Sequence, residues 1–192
     1  MTQLPAFYTS PWRLRLAARE LRRGGMVAYP TEAVFGLGCD PANPRALLGL
    51  LRLKRRPLDK GLILIGADSG QLLTWLGPID EARAARAEAS WPGPTTWLWP
   101  AQPWVSPLLR GAHRSLAVRV PAHPLARELC KSFGGALVST SANRNTQRPA
   151  RTALEVRRKL GPRAALILSG PVDRAARPSR IIDLRSGRLL RD

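Results

Sequence analysis

The sequence predicts a single α/β domain in which helices flank a sheet, and three observations carry that expectation. Helical and strand-like patterns alternate along the whole chain, which favours one layered α/β structure over segregated halves. The 192 residues fit one domain at about 150 residues per domain. A 44% share of hydrophobic residues supplies a real core and argues against disorder. No internal repeat, linker or low-complexity segment interrupts the pattern, so the domain is expected to run over 1–192.

The elements follow in order. Ser10-Pro11 places an N-cap serine before a proline at the first helical position. Leu14, Ala17, Ala18 and Leu21 give that helix a buried face, and Gly24-Gly25 ends it. Met26 to Tyr29 reads as a short strand stopped by Pro30, with a loop to Asp40. Asn43-Pro44 caps a second helix carrying Leu47, Leu48, Leu50 and Leu51. Leu62 to Ile65 reads as a buried strand, and Pro78 to Ala89 as a helix. Thr95 to Trp99 and Leu116 to Val120 read as strands, and Pro124 starts a helix ending near Phe133. A strand follows over Ala136 to Val138, then a helix with the Thr152-x-x-Glu155 capping box. Leu166 to Leu168, Ile181 to Leu184 and Arg188 to Leu190 are the closing strands.

Several function classes are excluded or weakened. Cys39 and Cys130 are the only cysteines, and His113 and His123 the only histidines, with no metal-ligand spacing among them. No apolar run approaches the ~18 residues of a membrane span. The first 23 residues do not read as a signal peptide, so the expected location is the cytoplasm. The net charge of +18 and a pI near 11.7 attract anions such as nucleotides, nucleic acid and pyrophosphate. Arginine far outnumbers lysine, which suits phosphate recognition and equally reflects a GC-rich genome.

No P-loop, dinucleotide fingerprint or nucleophile elbow occurs. Four polar stretches at predicted strand or helix ends remain. Thr31 and Glu32 follow the first strand, where ligands of α/β sheets bind, although Thr31 taken alone reads first as a helix cap or turn residue. Lys54, Arg56 and Lys60 close the second helix. The helix dipole accounts for Lys54 but not for Lys60, which lies beyond Pro57, and the three could clamp a triphosphate. Ser139 to Asn143 gathers hydroxyls and an amide suited to phosphate, ribose or an amino acid, or to a turn. Arg119 sits inside an apolar run, where a charge needs a partner and is expected to face a cleft. The last stretch is Pro178-Ser179-Arg180 with the Ser186-Gly187-Arg188 turn, in which Arg188 taken alone reads first as a solvated surface arginine and otherwise as a pocket residue.

Together these stretches resemble the YrdC-like family, the threonylcarbamoyl-AMP synthases, in its short bacterial form. The elements occur in family order: Pro30-Thr31-Glu32 with Gly36-Leu37, Lys54-x-Arg56-Pro57 with Lys60, and Pro92-Gly93-Pro94-x-Thr96. Ser115 with Arg119, Ser139 to Asn143, and Pro178-Ser179 complete the set. The likeness runs from about Arg22 to Arg191. Ala33 and Phe35 stand where a threonine and a tyrosine are common in the family. Asn145-Thr146 and Arg180 replace a Ser-Gly pair and a threonine.

The resemblance implies one twisted open mixed sheet with a basic concave cavity. It implies ATP with Mg2+, L-threonine and bicarbonate as substrates. Lys54, Arg56, Lys60 and Arg119 would be the catalytic cations. Arg56, Lys60, Ser115, Ser139, Asn143 and Arg188 would hold ATP, and Thr31, Arg119, Ser141 and Ser179 would hold threonine. The product would pass to downstream proteins that place it on tRNA, with direct RNA or tRNA binding a further expectation; no membrane partner and no protein-held metal are expected. Two alternatives stand beside this reading. One is a non-enzymatic basic RNA-binding protein, for which the chain lacks an aromatic RNA-binding signature. The other is a carbamoyl-transfer module of a larger enzyme, whose flanking segments are missing from this sequence.

Overall fold

The computed structural model describes residues 9–161, 166–173 and 175–192. Its elements are α1 (Pro11–Arg22), β1 (Val27–Pro30), β2 (Phe35–Gly38), α2 (Pro44–Lys54), β3 (Ile63–Ile65), α3 (Gly70–Leu73), α4 (Glu81–Ala89) and β4 (Thr95–Pro100). There follow α5 (Pro107–Arg110), β5 (Ser115–Arg119), α6 (Pro124–Phe133), β6 (Leu137–Ser141), α7 (Ala153–Leu160), β7 (Leu166–Ile167), β8 (Arg180–Asp183) and β9 (Leu189–Arg191). One mixed sheet runs β7-β1-β2-β6-β3-β5-β4-β8-β9. The pairs β1/β7, β3/β5 and β4/β8 are parallel and the others antiparallel.

The caps read from sequence are in place. Ser10 Oγ accepts from Arg13 N–H at 3.4 Å, and Asn43 Oδ1 accepts from Arg45 and Ala46 at 3.0 and 3.1 Å. Thr152 Oγ1 accepts from Glu155 N–H at 3.1 Å, and the Glu155 carboxylate reaches back to Arg151 N–H at 2.8 Å. Such caps satisfy backbone donors that the first helical turn leaves free.

Strand alternation sends side chains to two cores. Val27, Tyr29, Ile65 and Leu137 meet Ala17 and Leu21 of α1 and Leu125 and Leu129 of α6. Their neighbours Ala28, Leu64 and Val138 meet Leu47 and Leu50 of α2, Leu109 of α5 and Val156 of α7 on the other face. The sheet is therefore covered by helices on both sides. Among the described residues no helix is long and apolar enough to cross a membrane.

The structure corrects four expectations. The loop expected after Pro30 contains β2, in which Phe35 and Leu37 face one core. Gly36 and Gly38 alternate with them because Tyr29 lies across the strand; a Cβ on Gly38 would stand 2.5 Å from the Val138 carbonyl oxygen and 3.0 Å from the Tyr29 ring. The strand expected at Ala136 to Val138 continues to Ser141, so Ser139 and Ser141 project from a strand and not from a turn. The helix expected from Pro78 starts at Glu81, with Asp80 accepting from Arg83 N–H at 3.0 Å. Short helices α3 and α5 lie in segments read without structure.

Because a backbone oxygen cannot move aside as a side chain can, Gly38→Ala is expected to destabilise the protein by about 1–3 kcal/mol. Urea unfolding of this variant checks the close packing of β2 against β6; an unchanged midpoint would contradict it.

Candidate active site

The same alternation that builds the α1/α6 core places Gly36, Ile63, Ile65, Arg119, Ser139 and Ser141 on that face. Beyond the two helices these residues line a cavity of about 250 Å³, closed by Thr31, Glu32, Arg56, Ser179, Arg177 and Arg191. A larger, open cavity of about 840 Å³ adjoins it and shares Glu32, Arg177 and Pro178. Among the described lining residues of the smaller cavity, four arginines face one carboxylate.

Each charge has a structural reason for its position. Arg119 ends β5; its Nε donates to Gly93 O at 2.8 Å and its guanidinium is ion-paired with Glu32. The sequence expectation of a paired charge facing a cleft holds geometrically. Arg56 follows the left-handed residue Arg55 (φ 51°), which ends α2. Its guanidinium donates to Lys60 O at 3.2 Å and Gly61 O at 2.5 Å, so the arginine is fixed before any ligand arrives. Burial lowers its pKa below the ordinary arginine value, with Asp59 opposing.

Hydroxyls line the same cavity. Thr31 Oγ1 donates to Val34 O at 2.7 Å, so it shapes the β1–β2 turn and also faces the site. Ser179 is buried and its Oγ lies 2.9 Å from Thr96 Oγ1.

The cavity thus gathers Thr31, Arg56, Arg119, Ser139, Ser141 and Ser179, but five other predicted residues lie outside its lining. Lys54, expected beside phosphates, is only 3% exposed. Its ammonium donates to the carbonyls of Ser141 and of Asn143 (2.7 Å for the latter), while its own carbonyl accepts from Asn145 N–H at 2.8 Å. Burial lowers Lys54 to a pKa of about 8, and the Arg56 charge pushes the same way. Lys54 is therefore a strut between α2 and the segment after β6. Asn143 is buried beside it, its amide donating to Arg144 O and Gln147 O at 2.9 and 2.7 Å. Lys60 is exposed on the loop that holds Arg56. Ser115 begins β5, four residues from Arg119, or roughly 13 Å at about 3.3 Å per residue.

Arg188 is exposed in the β8–β9 turn, and the arginine that reaches the cavity is Arg191. Its guanidinium donates to Ser179 O at 2.8 and 3.2 Å and to Ser179 Oγ at 3.2 Å. Burial, then the Arg119 charge, lowers its pKa. Arg188 precedes β9 and Arg191 ends it, so which of the two meets the cavity depends on where the strand begins and how it pairs with β8, and the sequence shows neither; Arg177 had no sequence signal either.

Comparison with known proteins gives the chain its family. Residues 19–192 match the Sua5/yciO/yrdC family model, whose description is "Telomere recombination". The chain belongs to the Sua5/YciO/YrdC family. Within the family it is 53% identical over 191 residues to a protein of Alkalilimnicola ehrlichii named threonylcarbamoyl-AMP synthase, covering 98% of this chain and 100% of that one. A protein of the same name from Nitrosococcus oceani is 54% identical over 180 residues, 94% and 97% of the two chains. Among solved structures, P. abyssi Sua5 complexed with L-threonine superposes with a TM-score of 0.89 at 32% identity. That match covers 96% of this chain, which spans 55% of the Sua5 chain. The mixed, helix-flanked sheet expected from the sequence is thus the family architecture.

Proposed function

We propose that the chain is an L-threonylcarbamoyladenylate synthase, a nucleotidyltransferase that joins L-threonine, bicarbonate and ATP and releases pyrophosphate. The observation supporting this best is one cavity that gathers Thr31, Arg56, Arg119, Ser139, Ser141 and Ser179, in a chain over half identical to relatives of that name along nearly its whole length.

The threonine amine attacks bicarbonate carbon, water leaves, and a carbamate forms. A carbamate oxygen then attacks the α-phosphorus of ATP as pyrophosphate departs with the bonding electrons. Arg119 takes the threonine carboxylate. Arg56 and Arg191, each fixed by protein carbonyls, keep N–H groups for phosphate oxygens. Preset donors of this kind stabilise charge without reorganising during the reaction. Holding three reactants together supplies much of the remaining acceleration, since effective molarities reach ~10⁵ M or more. Among the described residues no group of three His, Cys, Asp or Glu side chains could hold a metal. Mg2+ would then arrive on ATP, bound by the phosphates and water. The adenylate would pass to proteins that transfer it to tRNA in the cytoplasm.

Pyrophosphate release from MgATP is expected only when threonine and bicarbonate are both present. Release without either substrate contradicts the reaction. No release from folded protein, together with steeply salt-dependent RNA affinity, would favour the RNA-binding alternative that the +18 charge allows.

A further inference from the structure

Glu32 carries more than its ion pair explains. Among the described residues it is the one carboxylate lining the smaller cavity, against Arg56, Arg119, Arg177 and Arg191. Its backbone carbonyl accepts from Asp173 N–H at 2.7 Å, and its Oε1 accepts from Ala122 N–H at 2.6 Å while pairing with Arg119. Ala122 and Arg119 hold the carboxylate through Oε1, and the main-chain bond ties residue 32 to the segment of Asp173. Oε2, by contrast, is buried and has no hydrogen-bond partner among the described residues. A buried acceptor left empty is costly, and a charged one more so. A strong donor brought by a ligand that opens the Glu32–Arg119 contact removes that cost.

An α-amino acid is a zwitterion. A cavity with four guanidinium groups attracts its carboxylate and repels its ammonium, so the ammonium needs a carboxylate, and Glu32 is the one the lining offers. We propose that Glu32 receives the α-ammonium group of the amino-acid substrate and, with Arg119, reads the substrate as a zwitterion. This assignment rests on the synthase reading above. Glu32 Oε1 and the Arg119 guanidinium pair directly with each other. Threonine replaces that internal contact with two of its own, carboxylate to Arg119 and ammonium to Glu32. Glu32 then selects for a substrate with an unsubstituted α-amino group, which attacks bicarbonate once its ammonium form has lost a proton.

Calorimetric titration tests this with L-threonine and with the analogue 2,3-dihydroxybutyrate, in which a hydroxyl replaces the amine. The wild-type protein is expected to bind threonine at least about 30-fold more tightly than the analogue, a comparison that needs no variant. Glu32→Gln keeps an oxygen for Ala122 N–H but removes the charge. It is expected to weaken threonine roughly 10- to 100-fold and to bind the analogue and MgATP nearly as the wild type does. Equal wild-type affinity for threonine and analogue overturns the proposal. So does a Glu32→Gln variant that binds threonine normally, or one that loses both ligands equally, which marks a purely structural role. Wild-type protein that binds MgATP and no threonine instead removes the synthase reading itself, and the Glu32 assignment with it.

Discussion

Replacing Arg56 by alanine is expected to reduce pyrophosphate release about 10²- to 10³-fold, the usual cost of losing one preorganised donor to developing charge. The fold should survive, because Arg56 is only partly buried and its protein contacts are two loop carbonyls. Arg56→Lys should rescue little, since an ammonium cannot hold both carbonyls and still present a flat fork to phosphate. Steady-state turnover with the melting temperature as control checks this. Turnover near the wild-type level in a folded Arg56→Ala protein removes Arg56 from the reaction.

Lys54→Met is expected to act through the fold. The methionine fills much of the lysine volume but leaves the Ser141 and Asn143 carbonyls without their charged donor. Bonds to charged groups contribute about 1.5–3 kcal/mol each, so a loss on the order of 3 kcal/mol follows, with turnover falling as Ser139 and Ser141 shift. The pH dependence has a definite sign. Lys54 has a pKa of about 8 in the folded protein against 10.5 for an ordinary lysine, so the unfolded chain binds its proton more tightly. Between these values stability contributed through Lys54 rises with pH. Urea unfolding of both proteins should show the wild-type advantage growing from about pH 8 toward about pH 10.5. An advantage that shrinks over that interval contradicts a buried, carbonyl-bound lysine.

Helices with side-chain caps were the most legible parts of the fold, because Ser10, Asn43 and Thr152 each announce a start through local chemistry. Strand β2 was hidden because its pattern is set by a distant residue: Gly36 and Gly38 make room for Tyr29, and no local rule says so. The cavity was legible where a polar side chain interrupts an apolar strand, as Arg119 does. It was misread at Lys54, where the sequence shows a cation at a helix end and cannot show that the helix turns it inward. Arg191 was lost to Arg188 for want of the register of β8 and β9, which tertiary pairing decides.

The position of β6 in the sheet also bears on how the chain is made. β6 lies between β2 and β3, yet about 100 residues separate the end of β2 from its start. At about 5–20 residues per second, synthesis of that interval takes roughly 5–20 s. β2 lacks its β6 neighbour throughout that interval, and β3 lacks it from the time it is made, each leaving an unpaired backbone edge, the kind of surface that recruits strands from other chains. The seam that later carries Ser139 and Ser141 is thus the last gap in the middle of the sheet to close. The strand order sets how long those edges wait for their partner, independent of how stable the finished enzyme is.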